Sequence, residues 1–188
     1  MSCERLIRKY GVALTIQRTP TVTIYGNIKG ASSNDIQSGY FAELIATVPT
    51  VLLADGEVIY DGSAYYLVVN VTKGTKNGVT QYLKSRLLLC NASVTIKKVA
   101  TGAGSFSTVS SGVKCLITKG GGVLQDDEIA YRERMRGDQS INYVYMAASA
   151  GLLPAHYITD GSRTLKVLND ISPYMAGGII EAQAIVEV

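Results

Sequence analysis

Apolar and polar positions alternate along most of the chain. Leu14-Thr15-Ile16-Gln17-Arg18 and Val94-Thr95-Ile96-Lys97-Lys98 put every second side chain on one face, the period of a half-buried strand. Runs rich in Val, Ile, Leu and Tyr stand between turns that carry Gly, Asn and Asp. They predict strands over 12–18, 21–28, 42–48, 50–53, 57–60, 64–72, 79–90, 93–99, 113–118, 128–135, 141–147, 156–159, 163–170 and 178–187. One short amphipathic helix is predicted, Cys3 to Lys9, with Leu6, Ile7 and Tyr10 available for docking. A helix of that length is marginal alone and needs a partner surface. Many short strands joined by Gly-rich turns indicate an all-β sandwich or barrel.

The pattern occurs twice. Residues 58–70 read VIYDGSAYYLVVN and residues 157–169 read YITDGSRTLKVLN, so that Asp61-Gly62-Ser63 falls on Asp160-Gly161-Ser162, Val68 on Val167 and Asn70 on Asn169. Both copies continue through a polar, Gly-containing turn into an apolar terminal strand, VTQYLKSRLLLC in one and IIEAQAIVEV in the other. Upstream, Leu14 to Arg18 corresponds to Val94 to Lys98. A DG turn between strand-forming runs is a hairpin signal, because Asp and Gly tolerate the left-handed backbone such a turn needs. Asp61, Gly62, Asp160 and Gly161 are therefore expected to be structural hairpin turns. The repeated order of elements divides the chain into an N-terminal helical segment (1–11), a first β-barrel or sandwich unit (12–90) and a related second unit (91–188) with a projecting β-arm (118–147). The boundary at 90/91 is tight, without a linker.

Composition narrows the class. With 47% hydrophobic and 18% charged residues the chain has the balance of a folded protein rather than a disordered one. Tyr supplies 12 of the aromatics against 2 Phe and no Trp, which suits strands and wet interfaces. A net charge of +3 does not by itself imply nucleic-acid binding, so the position of the charges must decide. Cys3, Cys90 and Cys115 are an odd set without CxxC spacing, read as reduced thiols with Cys90 and Cys115 in the core. The N-terminus lacks the apolar stretch of a signal peptide. The longest apolar run, Tyr143 to Tyr157, is too short for a membrane span and contains Pro154 and His156. The sequons at Asn70 and Asn91 have no consequence without a secretory route.

Candidate chemistry is sparse, and no enzyme, cofactor or metal site is expected. His156, Asp160 and Ser162 supply base, acid and nucleophile types, but they share one strand and turn, whereas a catalytic triad converges from separate elements. His156 is read as a barrel-surface residue. Lys119-Gly120-Gly121-Gly122 lacks the spacing and the helix of a phosphate loop. Asp126-Asp127-Glu128 lacks the ligand spacing of a calcium loop. The segment Asp127 to Ser140 carries more interest. On a strand Arg132, Arg134 and Arg136 share one face, and the segment reads as a β-arm whose arginine row suits a neighbouring protein ring, a phosphate backbone or protection of a sheet edge.

The run from Tyr143 to Val188 resembles the C-terminal part of the head-closure, or stopper, proteins of tailed bacteriophages. The match is carried by Asp160, Gly161, Arg163 and Val167 in a DG-x-R-x-x-x-V hairpin followed by a final strand. The resemblance implies a structural head-tail connector in the virion neck, produced in the host cytoplasm. Such a protein forms a homo-oligomeric ring of six or twelve copies between the portal and adaptor proteins and the tail with its terminator and closes the DNA channel, toward which its loops reach; packaged DNA and a neighbouring protein ring are the two candidate contacts of the arm. Arg132, Arg134 and Arg136 would face the channel or the ring interface, and Leu6, Ile7 and Tyr10 would dock on a partner. The duplication departs from the family, whose members generally carry one barrel. A tail-terminator or other neck-ring protein, and an oligonucleotide- or oligosaccharide-binding barrel, are the alternatives.

Overall fold

The computed structural model describes residues 3–30, 41–47, 53–100, 105–119, 141–174 and 177–187. The chain divides into two compact units, Met1–Leu89 and Cys90–Val188. The first holds helix α1 (Cys3–Tyr10) and strands β1 (Val12–Ile16), β2 (Val22–Gly30), β3 (Phe41–Ala46), β4 (Val58–Tyr60), β5 (Tyr65–Lys76) and β6 (Val79–Leu89). The second holds β7 (Ala92–Val99), β8 (Phe106–Lys119), β9 (Ile141–Ala147), a 3-10 turn at Ala148–Ala150, β10 (Tyr157–Thr159), β11 (Thr164–Tyr174) and β12 (Ile179–Val186). The all-β, two-unit architecture expected from the repeat is present.

Each unit is a closed six-strand antiparallel barrel. The first runs β1-β2-β3-β6-β5-β4 and the second β7-β8-β9-β12-β11-β10, so strand for strand the order is the same. Closure is by the same pair in each: Ile16 lies opposite Ile59 where β1 meets β4, and Ile96 opposite Ile158 where β7 meets β10. All four are in the barrel interiors, with Leu14, Leu44 and Leu87 in the first and Val94, Val144 and Leu165 in the second. Alternation explains this, since residues two apart on a strand point the same way. Burying each such aliphatic side chain stabilises by roughly 1.5–3 kcal/mol. β9 is buried at every position from Asn142 to Met146, so it is covered on both faces, as the apolar run that begins at Tyr143 implies, and it takes the polar Asn142 into the interior with it.

The bulge is duplicated too. The β5–β6 register shifts between Val69 and Thr72, and that of β11–β12 between Val167 and Ile171. In the first barrel Asn70 has a positive φ of 55°, and the Asp55 carboxylate accepts the Val71 N–H at 2.9 Å, holding the extra residue of the bulge.

Entry into the second barrel is pinned by a side chain. The Asn91 amide donates to the Ile117 carbonyl and accepts the Ile117 N–H, both at 2.8 Å. It thus extends the β7–β8 ladder one step beyond the Ala92–Cys115 pair. The sequence suggested only a sequon at this position.

Several expectations change. β8 extends back to Phe106, well before the predicted start at 113, because a Ser- and Thr-rich segment without apolar alternation is held by pairing with Lys97, Lys98 and Val99. Cys115 is buried but Cys90 is only half-buried and outside the core clusters. Leu53 is buried without being in a strand, and the rest of the predicted strand 50–53 lies outside the described residues, as does the strand at 128–135.

Candidate functional site

The two DGS turns have the same construction. In the first, Asp61 Oδ1 accepts the Ser63 N–H, the Ser63 hydroxyl and the Ala64 N–H, all at 2.8 Å. In the second, Asp160 Oδ1 accepts the Ser162 N–H at 3.1 Å, its hydroxyl at 2.9 Å and the Arg163 N–H at 3.0 Å. Gly62 and Gly161 have φ of 98° and 92°, a conformation that favours glycine. The Asp is therefore the cap of the turn, and only the Gly is its left-handed residue. The second carboxylate oxygen differs: Tyr66 donates its hydroxyl to Asp61 at 3.2 Å, whereas Arg163 Nε donates to Asp160 at 2.7 Å. Burial pushes both carboxyls up, but these hydrogen bonds outweigh it and hold Asp61 below the usual carboxylate range and Asp160 further below. Burial, and then the Asp61 charge, raise the Tyr66 hydroxyl in turn.

The corners leading into β4 and β10 also correspond. The Ala54 N–H donates to Glu57 Oε2 at 2.8 Å, and the Leu153 N–H donates to His156 Nδ1 at 3.2 Å. Gly56 and Ala155 both have positive φ, 82° and 63°, and donate to the carbonyls of Val68 and Val167. Glu57 forms an ion pair with Arg18. In the second barrel the place of Arg18 is taken by Lys98, one step along β7 from the Lys97–Tyr157 pair. Desolvation, and then the Lys98 charge, lower the affinity of His156 for a proton. His156 is 8% exposed, which corrects its reading as a surface residue. Its ring is buried because it closes the corner, a role that a single sequence does not reveal.

The helix is half docked. α1 packs on β2 and β6, and of its three candidate residues Ile7 is half-buried while Leu6 and Tyr10 are 40% and 70% exposed. Arg8 lies over the Tyr25 ring at 5.5 Å and bonds Glu4 at 3.0 Å. Gly11 follows because a Cβ there would meet the Ile7 carbonyl at 2.5 Å and the Gly26 carbonyl at 2.8 Å.

Arg132, Arg134 and Arg136 lie outside the described residues. The described projection is instead in the first barrel. Ala46 opposite Leu83 is the last β3–β6 pair, and beyond it β5 and β6 pair with each other up to Lys76 opposite Val79. At the tip Asn77 and Gly78 have φ of 50° and 75°, both positive as in the type I′ hairpins that Asn-Gly favours. The Tyr82 ring fills the space above Gly74, its cross-strand partner, where a Cβ would lie 2.2 Å from the ring. Asn77-Gly78, within the polar, Gly-containing turn expected here, is the signal that marks this hairpin, but alone it gives the turn and not the length of the strands.

Among the described residues no helix is long and apolar enough to cross a membrane, and no three His, Cys, Asp or Glu side chains gather as a metal site. No protein-family model, curated protein or solved structure matches the chain.

Proposed function

We propose that this chain is a structural protein of the tailed-phage neck, a stopper-type connector that forms a ring between portal or adaptor and tail and closes the DNA channel. The observation that carries the reading is the physical role of the residues behind the resemblance. Asp160 caps the turn, Gly161 supplies its left-handed residue, Arg163 neutralises the Asp160 carboxylate, and Val167 is a core residue of the same barrel. The motif is a complete hairpin device, and the first barrel repeats it with Tyr66 in place of the arginine.

Ring assembly is supported by α1. Leu6 and Tyr10 are 40% and 70% exposed beside the half-buried Ile7, which leaves apolar surface for a neighbouring subunit, and head-to-tail contacts of that kind close into rings. Six or twelve copies are the expected stoichiometries. The test is native mass spectrometry and electron microscopy of the full chain, alone and with portal and adaptor proteins. A closed ring that joins the portal complex supports the proposal. A persistent monomer that binds neither component sinks it, and a ring that caps only tail tubes replaces it with a tail-terminator role.

A further inference from the structure

One surface of the second barrel has a chemistry its counterpart lacks. Lys97 on β7, Tyr157 on β10 and Lys166 on β11 are direct cross-strand neighbours. All three point outward, since the alternate positions Ile96, Ile158 and Leu165 line the interior; Lys97 and Lys166 are half-exposed, whereas Tyr157 is covered and only 8% exposed. Phe106, 52% exposed, reaches over from β8 and sets its ring edge-to-face on Tyr157 at 4.8 Å. At the equivalent places in the first barrel stand Gln17, Val58 and Leu67, with no lysine and no aromatic residue.

The charge distribution along the chain points the same way. From Gly62 to Gln125 there is no Asp or Glu, so β7 and β8 carry lysines and hydroxyl residues without a counter-charge on their own strands. Of the acids that border this face among the described residues, Asp160 is bonded to Arg163, and Glu187 sits at the margin, where its N–H meets the Thr164 carbonyl. One row from the lysines, Thr95, Thr159 and Thr164 add hydrogen-bonding groups to the same face.

We infer that this Lys97–Tyr157–Lys166 row with Phe106 is a binding surface for single-stranded nucleic acid. Two ammonium groups on either side of Tyr157, with the exposed Phe106 ring packed on it, match a backbone of phosphates with unstacked bases between them. Phe106 offers a ring for a base to stack on, and stacking of this kind tolerates any sequence. A duplex presents phosphates but no free base faces, so it would use only part of the surface. The inference does not depend on the neck assignment and stands or falls separately from it.

The test is fluorescence anisotropy of the full chain with a labelled oligothymidylate of about 15 nucleotides, a length within the range that small barrels occupy. Binding should weaken with salt, with a log–log slope of roughly −0.7 for each phosphate contacted, so about −1.4 for two lysines. The double substitution Lys97→Gln, Lys166→Gln should lower affinity about 10-fold or more and flatten that slope. Phe106→Ala should weaken binding about 10-fold while Phe106→Trp retains it. These residues are exposed or half-exposed, and circular dichroism of each variant confirms that it is folded. Absence of binding at low salt overturns the inference. So does equal affinity for duplex of the same length, or binding that survives the lysine substitutions and is lost on changing Arg132, Arg134 and Arg136 to Gln.

Discussion

Glu57 and His156 close the same corner of the two barrels, each accepting the N–H of the residue three before it, but one faces a cation as its counter-ion and the other faces a cation as a like charge. The pairing of Arg18 with Glu57 becomes Lys98 with His156. A proton on His156 Nδ1 would both remove the acceptor for Leu153 and add charge beside Lys98.

Stability of the second barrel should therefore fall in mild acid. Burial and Lys98 hold the folded-state pKa of His156 below its ordinary 6.5, so the folded chain binds fewer protons than the unfolded one as the pH drops through that value. The stabilisation is complete above 6.5 and is lost below it. The Asp61 and Asp160 carboxyls are lowered from 3.8, so theirs is lost only in stronger acid. Urea titrations across about pH 5 to 7 should show the decline, and His156→Asn, which keeps an acceptor without the titration, should remove it at a cost of about 1–2 kcal/mol from lost packing. A decline that persists in the variant would assign it to another group.

Replacing His156 by Glu should reproduce the first barrel's arrangement. With Lys98 as counter-ion the second barrel should gain up to about 1 kcal/mol at neutral pH, the range of a partly exposed ion pair. Thermal unfolding of His156→Glu beside Lys98→Ala and the double variant gives the coupling directly. Zero coupling would mean that the two side chains do not meet.

Ala155→Gly should stabilise the fold. Ala155 has a φ of 63° where Gly56 stands in the other barrel, and relief of left-handed strain at a non-glycine residue exceeds the entropy that glycine adds, leaving about 0.5–1 kcal/mol. Denaturation midpoints measure it.

Removing the turn cap should cost more in the second copy. Asp160→Ala leaves the Ser162 and Arg163 donors without their carboxylate and should destabilise by about 2–3 kcal/mol. Asp61→Ala, which loses neutral partners only, should cost about 1–2 kcal/mol. Equal losses would show that the Arg163 ion pair contributes nothing.

α1 should be the first segment cut by protease in the isolated chain and protected in an assembled ring. Gly11→Val should increase cleavage further, because the added side chain collides with the Ile7 and Gly26 carbonyls. Equal protection with and without assembly would remove α1 from the interface.

The sequence was most legible where its period was clean. Alternation and the repeated DG turns mark the strands that close each barrel, since Ile16 and Ile96 follow Leu14 and Val94 on a two-residue period, and Ile59 and Ile158 stand two residues before Asp61 and Asp160. It was least legible where long-range pairing supplies the order, as in β8 from Phe106 to Ser111, which has no apolar stripe. Tyr157 and Lys166 pair across the β10–β11 hairpin, but Lys97 is far from both in the chain and joins them only through barrel closure. The exposure of Phe106 depends on a strand that the pattern did not predict. His156 was misread because a buried acceptor at a corner looks in sequence like any isolated histidine.

The side chain of Asn91 serves as one more rung of a β-ladder, and it does so with both ends of an amide. Hydrolysis of that amide to a carboxylate, the slow chemical ageing to which asparagine is prone, would change its composition by a single atom group. It would nevertheless exchange a donor for a negative charge facing the Ile117 carbonyl. The seam between β7 and β8 would open from its first residue, making the age of the molecule readable as loss of hydrogen-exchange protection at Ile117.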